Sequence, residues 1–92
     1  MTQDRYDIIV TPPARRAIQS TLPEAVAHAV IEFITGPLLD KPRRVGAPLR
    51  FELEGVWSAR RGTYRILYFI DDDTRTVTIL RIAHRRDAYR PS

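Results

Sequence analysis

The chain has 92 residues, no cysteine and a formal net charge of +4, and this length suits one small domain, which we expect to span residues 1–92. The absence of cysteine excludes disulfides and thiolate metal sites. No apolar run approaches the roughly 18 residues of a membrane span, and the first residues lack the layout of a secretory signal, so we expect a soluble cytoplasmic protein.

The N-terminal half predicts one strand and two helices. Tyr6–Val10 is a short β-branched run of strand type. Thr11 followed by two prolines marks a helix start, and we expect a short helix over Ala14–Ser20. A second helix opens at residues 21–24 and ends at Gly36-Pro37. Its apolar positions recur at helical spacing and predict one buried stripe: Leu22, Val26, Ala29, Val30, Phe33 and Ile34.

The C-terminal half predicts a sheet. Residues 37–50 resemble a connecting loop, and the aspartates at 71–73 form a polar turn between two β-rich runs. The predicted strands are Arg50–Leu53, Trp57–Arg61, Tyr64–Ile70 and Arg75–Ala83. The order of elements predicts an α+β domain, in which a small antiparallel sheet of four to five strands carries two N-terminal helices on one face.

The positive charge is concentrated in the second half of the chain. Residues 1–40 carry three cations and five acids, net −2, whereas residues 41–92 carry twelve cations and six acids, net +6. All cations except Lys41 are arginine, whose planar fork holds phosphate bidentately and stacks on bases. The imbalance favours a nucleic-acid partner, with an acidic protein partner as the alternative.

One arginine interrupts an apolar strand. A charge such as Arg65 in a predicted central strand is costly unless it is paired or used, and the structural alternative is a salt bridge to Glu52 or Glu54. In the preceding strand, alternation places Ser58 and Arg60 on one face. The other face receives Trp57, Ala59 and Arg61.

The end of the chain mixes cations with an aromatic residue. Residues 84–90 hold three arginines, one histidine and one tyrosine, a combination typical of a surface that holds phosphates and stacks bases of single-stranded nucleic acid. The only histidines are His28 and His84, and His28 lies beside the apolar stripe of its helix, where a surface position is expected. The sequence therefore predicts neither a metal site nor a cofactor.

Two motifs resemble the RelE/ParE toxin superfamily. They are Gly62-Thr63-Tyr64-Arg65-Ile66-Leu67-Tyr68 and the closing His84-Arg85 followed by Tyr89. The resemblance implies the toxin of a type II toxin–antitoxin system. RelE-like members cut mRNA in the ribosomal decoding site, whereas ParE-like members inhibit DNA gyrase and generally lack the closing His-Arg and tyrosine. The presence of both features favours the ribonuclease branch.

The resemblance also implies residue roles. Arg65 and Arg85 correspond to catalytic arginines, and Tyr89 to a tyrosine that stacks on the substrate base. Arg60 holds a position often occupied by lysine, and Ser58 falls where RelE proper has another lysine. The implied reaction is a metal-independent transesterification by the ribose 2′-OH. We further expect RNA contacts from Arg61, Arg86 and Arg90.

The sequence offers two candidates for the proton acceptor. Arginine seldom accepts a proton at neutral pH, whereas histidine titrates in the useful range, so His84 is the first candidate for general acid or base. Strand alternation directs His84 and Arg85 to opposite faces unless the strand ends there, and Tyr89 is the second candidate.

The implied partners are the ribosome, mRNA and a co-encoded RelB-like antitoxin. We expect the antitoxin to wrap the basic region 41–92 and to cover or displace the tail 84–92. Two further functions remain possible from sequence: a ParE-like gyrase inhibitor, and a non-catalytic nucleic-acid-binding or degenerate family member.

Overall fold

The computed structural model describes residues 5–49, 55–84 and 86. The elements follow the predicted order of one strand, helices and then a run of strands. In chain order they are β1 (Asp7–Val10), α1 (Pro12–Arg16) continuing into a π-helical turn (Ala17–Thr21), α2 (Glu24–Ile34), α3 (Pro37–Asp40), β2 (Ala47–Pro48), β3 (Val56–Arg61), β4 (Tyr64–Asp71) and β5 (Thr76–His84). None of the helices in the described part of the chain is long and apolar enough to cross a bilayer.

The five strands form one sheet in the order β1-β5-β4-β3-β2, which confirms the predicted α+β class. One pairing differs from the predicted antiparallel sheet, because β1 runs parallel to β5 while the other three pairs are antiparallel. The sheet is therefore mixed. These directions make β1 antiparallel to β2, so β2 begins at the same end of the sheet at which β1 stops. A helical hairpin makes this connection, since two passes bring the chain back.

The two faces of the sheet have different character. Alternate residues of β4 and β5, including Ile66 and Ile79, pack with Val30 and Phe33 of α2 and with Leu38 in one buried cluster. We call this side the helical face. Side-chain alternation turns the other residues of each strand to the opposite side, which no described helix covers and which we call the open face.

Several local expectations are wrong. Pro37–Asp40 forms a helical turn instead of a loop, because proline at the first helical position is pre-organised for a helix. Thr11 stands at the N-cap position, but its hydroxyl donates to the carbonyls of Ile79 and Leu80 instead of capping α1. Ala29 of the predicted stripe is exposed. The predicted strand at residues 50–53 falls outside the described residues.

A buried tyrosine fixes the segment between α3 and β2. Tyr68 of β4 is fully buried, and its hydroxyl donates to the Pro42 carbonyl at 2.6 Å. Burial raises the pKa of Tyr68 to about 12, so the phenol stays neutral and keeps donating at neutral pH. Gly46 lies over the same hydroxyl, at a distance that leaves no room for a side chain.

Candidate nucleic-acid interface

Two arginines stand directly opposite each other on the open face. The register of β3 and β4 pairs Arg60 with Arg65, beside the pair Ser58 and Leu67. Like charges in directly opposed cross-strand positions repel each other. In the described strands neither arginine is paired with an acidic residue, so the two form a positive site at the end of the sheet where β4 begins.

Arg65 is more buried than Arg60. Arg60 is exposed, whereas Arg65 is half-buried and its Nε is buried without a hydrogen-bond partner among the described residues. A buried unsatisfied donor costs about 1–3 kcal/mol, more when it is charged, so an acceptor that reached this Nε would stabilise the guanidinium. Glu52 and Glu54, the alternative salt-bridge partners of Arg65 predicted from the sequence, lie outside the described residues.

The structure places His84 away from the arginine pair. Its imidazole lies on the helical face, edge-on to the Tyr64 ring with centroids 5.5 Å apart. Arg65 follows Tyr64 on β4 and faces the other way, paired with Ala83 of β5. His84 and Arg65 therefore share one end of the sheet but lie on opposite faces. The expected roles of Arg85, Tyr89 and Arg90 fall on residues outside the described part of the chain.

The arginines proposed for RNA contact are also separated. The Arg61 guanidinium lies 3.6 Å from the centroid of the Phe33 ring and donates to the Arg60 carbonyl. This contact ties β3 to α2 on the helical face and directs Arg61 away from Arg60. Arg86 is exposed just after β5, and its backbone N–H donates to Nδ1 of His84 at 3.2 Å.

Ser58 occupies a covered position. It lies between Leu67 of β4 and Ala47 of β2 and is only 9% exposed. A side chain so enclosed has little access to a substrate. The next residue on the same face of β3 is Arg60, which is exposed.

An apolar row crosses the open face beyond the arginine pair. Ile9, Thr78, Phe69 and Val56 are successive cross-strand partners on β1, β5, β4 and β3. Ile9 is 53% and Phe69 43% exposed. The next row contains Asp7 and Asp71, both paired with Thr76. The open face thus runs from a basic end through an apolar row to an acidic end.

Comparison with known proteins assigns the family. Residues 8–89 match the model of the ParE toxin of type II toxin–antitoxin systems, parDE. The chain belongs to this toxin family. It is 54% identical over 85 residues to toxin RelG of Mycobacterium tuberculosis, covering 92% of this chain and 97% of RelG. It is 51% identical to toxin RelE of the same organism over 92% of this chain and 87% of that relative.

Solved structures of related toxins have the same fold. The toxin–antitoxin complex RelBE2 of Mycobacterium tuberculosis contains a chain with a TM-score of 0.82 and 52% identity, over 87% of this toxin and 98% of that chain. A mutant of Escherichia coli toxin RelE in the free state gives a TM-score of 0.73 at 15% identity, over 91% and 87%. These comparisons confirm the RelE/ParE resemblance and the RelE-like fold of this toxin.

Sequence reasoning missed one cation of this toxin. Arg16, in the last turn of α1, lines a cavity on the helical face together with Tyr64 and His84. Arg15 and Arg16 are adjacent cations in a half of the chain that is otherwise acidic, which is a signal that sequence contains. The signal could not indicate what Arg16 faces, because the cavity is assembled by β4 and β5.

Proposed function

We propose that this toxin is a ribosome-dependent endoribonuclease that cleaves mRNA in the A site and thereby arrests translation. The observation that carries the proposal is the opposed pair of Arg60 and Arg65 on the open face. Two guanidiniums that repel each other are stabilised by an anion placed between them, and the Nε of Arg65 has no hydrogen-bond partner among the described residues. A phosphate diester is such an anion, since its oxygens match the fork of arginine.

The proposed reaction is a transesterification within the RNA. The ribose 2′-oxygen attacks the adjacent phosphorus and the bond from phosphorus to the 5′-oxygen breaks. The products are a 2′,3′-cyclic phosphate and a free 5′-hydroxyl. A base accepts the 2′-hydroxyl proton, and an acid protonates the leaving 5′-oxygen. The arginines Arg60, Arg65 and Arg85 neutralise charge that develops on the phosphate oxygens, and positioning of the RNA supplies the remainder.

The position of the proposed acid or base restricts where the RNA can bind. We keep His84 as the first proposed acid or base, with Tyr89 as the second. Because His84 lies on the helical face beside Tyr64 and Arg65 lies on the open face, the two residues can act on one ribose and its adjacent phosphate only at the end of the sheet that they share. Tyr89 follows β5 in the sequence and is proposed to stack on the substrate base.

Induced expression of single variants tests the proposed function. The wild type, Arg65→Ala and Tyr89→Phe are expressed, and translation rate and mRNA 5′ ends are followed in the same cultures. We expect cuts inside translated frames, reduced about 100-fold or more by Arg65→Ala, the size of effect found when one charge-stabilising donor is removed. A smaller reduction is expected for Tyr89→Phe, because the ring is retained. Arg15→Ala, an exposed change of equal charge on α1, is the control.

The alternative functions predict different outcomes. If translation continues while DNA replication stalls, the protein is a gyrase inhibitor and the proposal is wrong. If the protein binds RNA without producing new 5′ ends, it is a non-catalytic binding domain. Equal loss of cleavage in Arg65→Ala and Arg15→Ala would show that general charge, and not the arginine pair, determines activity.

We also propose a co-encoded RelB-like antitoxin as the protein partner. A related toxin at 52% identity has been solved as a toxin–antitoxin complex. The open face supports this partner, because its apolar row lies between a basic and an acidic end and suits an amphipathic segment of complementary charge. Such a segment would cover Arg60 and Arg65, so neutralisation would follow from exclusion of the RNA.

A further inference from the structure

A cavity of about 370 Å³ lies on the helical face at the end of β5, apart from the arginine pair. Its wall is formed by the last turn of α1, the π-helical turn, the start of β4 and the end of β5. The residues that bear on its chemistry are Arg16, Thr21, Tyr64, Arg81 and His84. Its volume is within the range of small-molecule sites, roughly 300–1,000 Å³, and is larger than a lone anion needs.

The cavity exists because β5 extends further along the sheet than its neighbour β1. β1 pairs only with Thr76–Ile79, so on that side β5 has no strand partner beyond Ile79 in the part of the chain that the structure describes. The chain leaves β1 at Thr11 and enters α1, and the helix then widens into the π-helical turn, where the Leu22 N–H donates to the Ala17 carbonyl. π-Helical turns inside α-helices are frequent at functional sites. Here the turn faces the unpaired edge of β5.

The groups in the cavity suit an anion attached to a flat ring. Arg16 makes no hydrogen bond or ion pair with any described residue, and no acidic residue is among the described residues that line the cavity. The Tyr64 and His84 rings meet edge to face at 78°, so a planar group can stack on one ring against the other. Cations next to aromatic rings recur in protein sites that bind single-stranded nucleic acid.

We infer that this cavity binds one nucleotide of the RNA, with its phosphate at Arg16 and its base against Tyr64 and His84. The inference rests on the proposed function and extends it to a subsite outside the arginine pair. Tyr64 and Arg65 are consecutive residues of β4 that face opposite sides, so the subsite and the arginine pair meet at one end of the sheet. RNA that occupies both sites bends around this end.

Binding of an uncleavable oligonucleotide tests the subsite. The probe is a fluorescent single-stranded 2′-O-methyl RNA hexamer, whose blocked 2′-oxygen cannot attack the phosphate. Its affinity is measured by anisotropy over a range of NaCl concentrations for wild type, Arg16→Ala and Arg15→Ala. The two variants lose the same charge from adjacent positions of α1, but Arg15 lies against a different groove beside β1.

We expect Arg16→Ala to weaken binding about ten-fold at low salt. Arg16→Ala should also make the plot of log affinity against log salt less steep by about 0.7, the value for one lost phosphate contact on a single strand. Arg15→Ala should leave the slope unchanged. Tyr64→Leu should weaken binding about five- to a hundred-fold without changing the slope, because a stacking contact and not a phosphate contact is lost.

Two outcomes would overturn the subsite. Equal effects of Arg16→Ala and Arg15→Ala would mean that Arg16 contributes only general charge. Loss of antitoxin binding in Arg16→Ala with RNA binding intact would assign the cavity to the protein partner. Because the probe cannot be cleaved, these results do not depend on catalysis. Failure of the wild type to cut mRNA on ribosomes would overturn the proposed function alone.

Discussion

At the scale of single residues, Gly46 shows how closely the segment before β2 lies on the sheet. A Cβ at this position would lie 2.7 Å from the Ser58 carbonyl oxygen and closer still to the Tyr68 hydroxyl. Neither neighbour can move readily, since Ser58 is in the paired part of β3 and Tyr68 is fully buried. Gly46 is therefore required by the close approach and not by its own backbone angles.

We predict that Gly46→Ala destabilises the protein by about 3 kcal/mol, at the upper end of the cost of overpacking. Gly62→Ala is the control. At Gly62 φ is +61° and no atom lies within 4 Å of the added Cβ, so only backbone strain of about 1 kcal/mol is expected. Urea unfolding measures both values. In a Tyr68→Phe background the cost of Gly46→Ala should fall, because the hydroxyl is gone; an unchanged cost would contradict this explanation.

At the scale of elements, the two faces of β4 differ, because one packs in the core and the other belongs to the open face. Ile66, Tyr68 and Ile70 pack against the helices on one side. On the other side Arg65, Leu67, Phe69 and Asp71 follow each other from basic through apolar to acidic. Such a sequence of side chains favours a protein partner at Phe69 over RNA, because the acidic row next to it would repel phosphates.

We predict that Phe69→Ser weakens binding of the co-encoded antitoxin at least ten-fold, as expected when an apolar anchor is removed from an interface. Ile31→Ser is a matched control, since Ile31 on α2 has the same 43% exposure as Phe69. Isothermal titration calorimetry with the purified antitoxin measures both affinities. If Ile31→Ser loses as much affinity as Phe69→Ser, the antitoxin does not use the apolar row. mRNA cleavage by the free toxin should be unchanged in both variants.

At the scale of the whole molecule, one exposed ion pair joins segments that are distant in sequence. Arg43, after α3, donates two hydrogen bonds to the Asp72 carboxylate, and the Tyr6 hydroxyl donates a third. The Arg75 guanidinium lies over the Tyr6 ring at 4.5 Å. Hydrogen bonds from Arg43 and then Tyr6 lower the pKa of Asp72. This cluster ties the chain before β1 and the loop after α3 to the turn between β4 and β5.

We predict that Asp72→Asn lowers the melting temperature by about 2–4 °C at pH 7, a modest effect because the pair is solvated. The pKa of Asp72 is lower in the folded state, so its contribution is complete above the ordinary value of 3.8. It is lost as the pH falls through the lowered pKa. The two proteins should therefore converge in acid. Asp73→Asn, the same charge change in the same turn, should have little effect at any pH, and an equal effect would contradict the role of the cluster.

Local sequence signals predicted most of the elements correctly. The β-branched run at residues 6–10, the helix ended by Gly36 and the turn at 71–73 all lie close to their observed positions. Short-range preferences suffice for these features, because each depends on residues within one or two turns of the chain. The parallel pairing of β1 with β5 did not follow from the sequence, because residues about 70 positions apart determine it.

The candidate site divides in the same way. The sequence by itself determined the cationic second half, the arginine in an apolar strand and the motifs that identify the toxin family, since these depend on residue type and spacing. Only the tertiary structure decided that Arg60 opposes Arg65 while Arg61 and His84 face the helices, and that Arg16 lines a cavity with Tyr64. Strand register and the length of a neighbouring strand set these relations, and both arise when distant segments pack together.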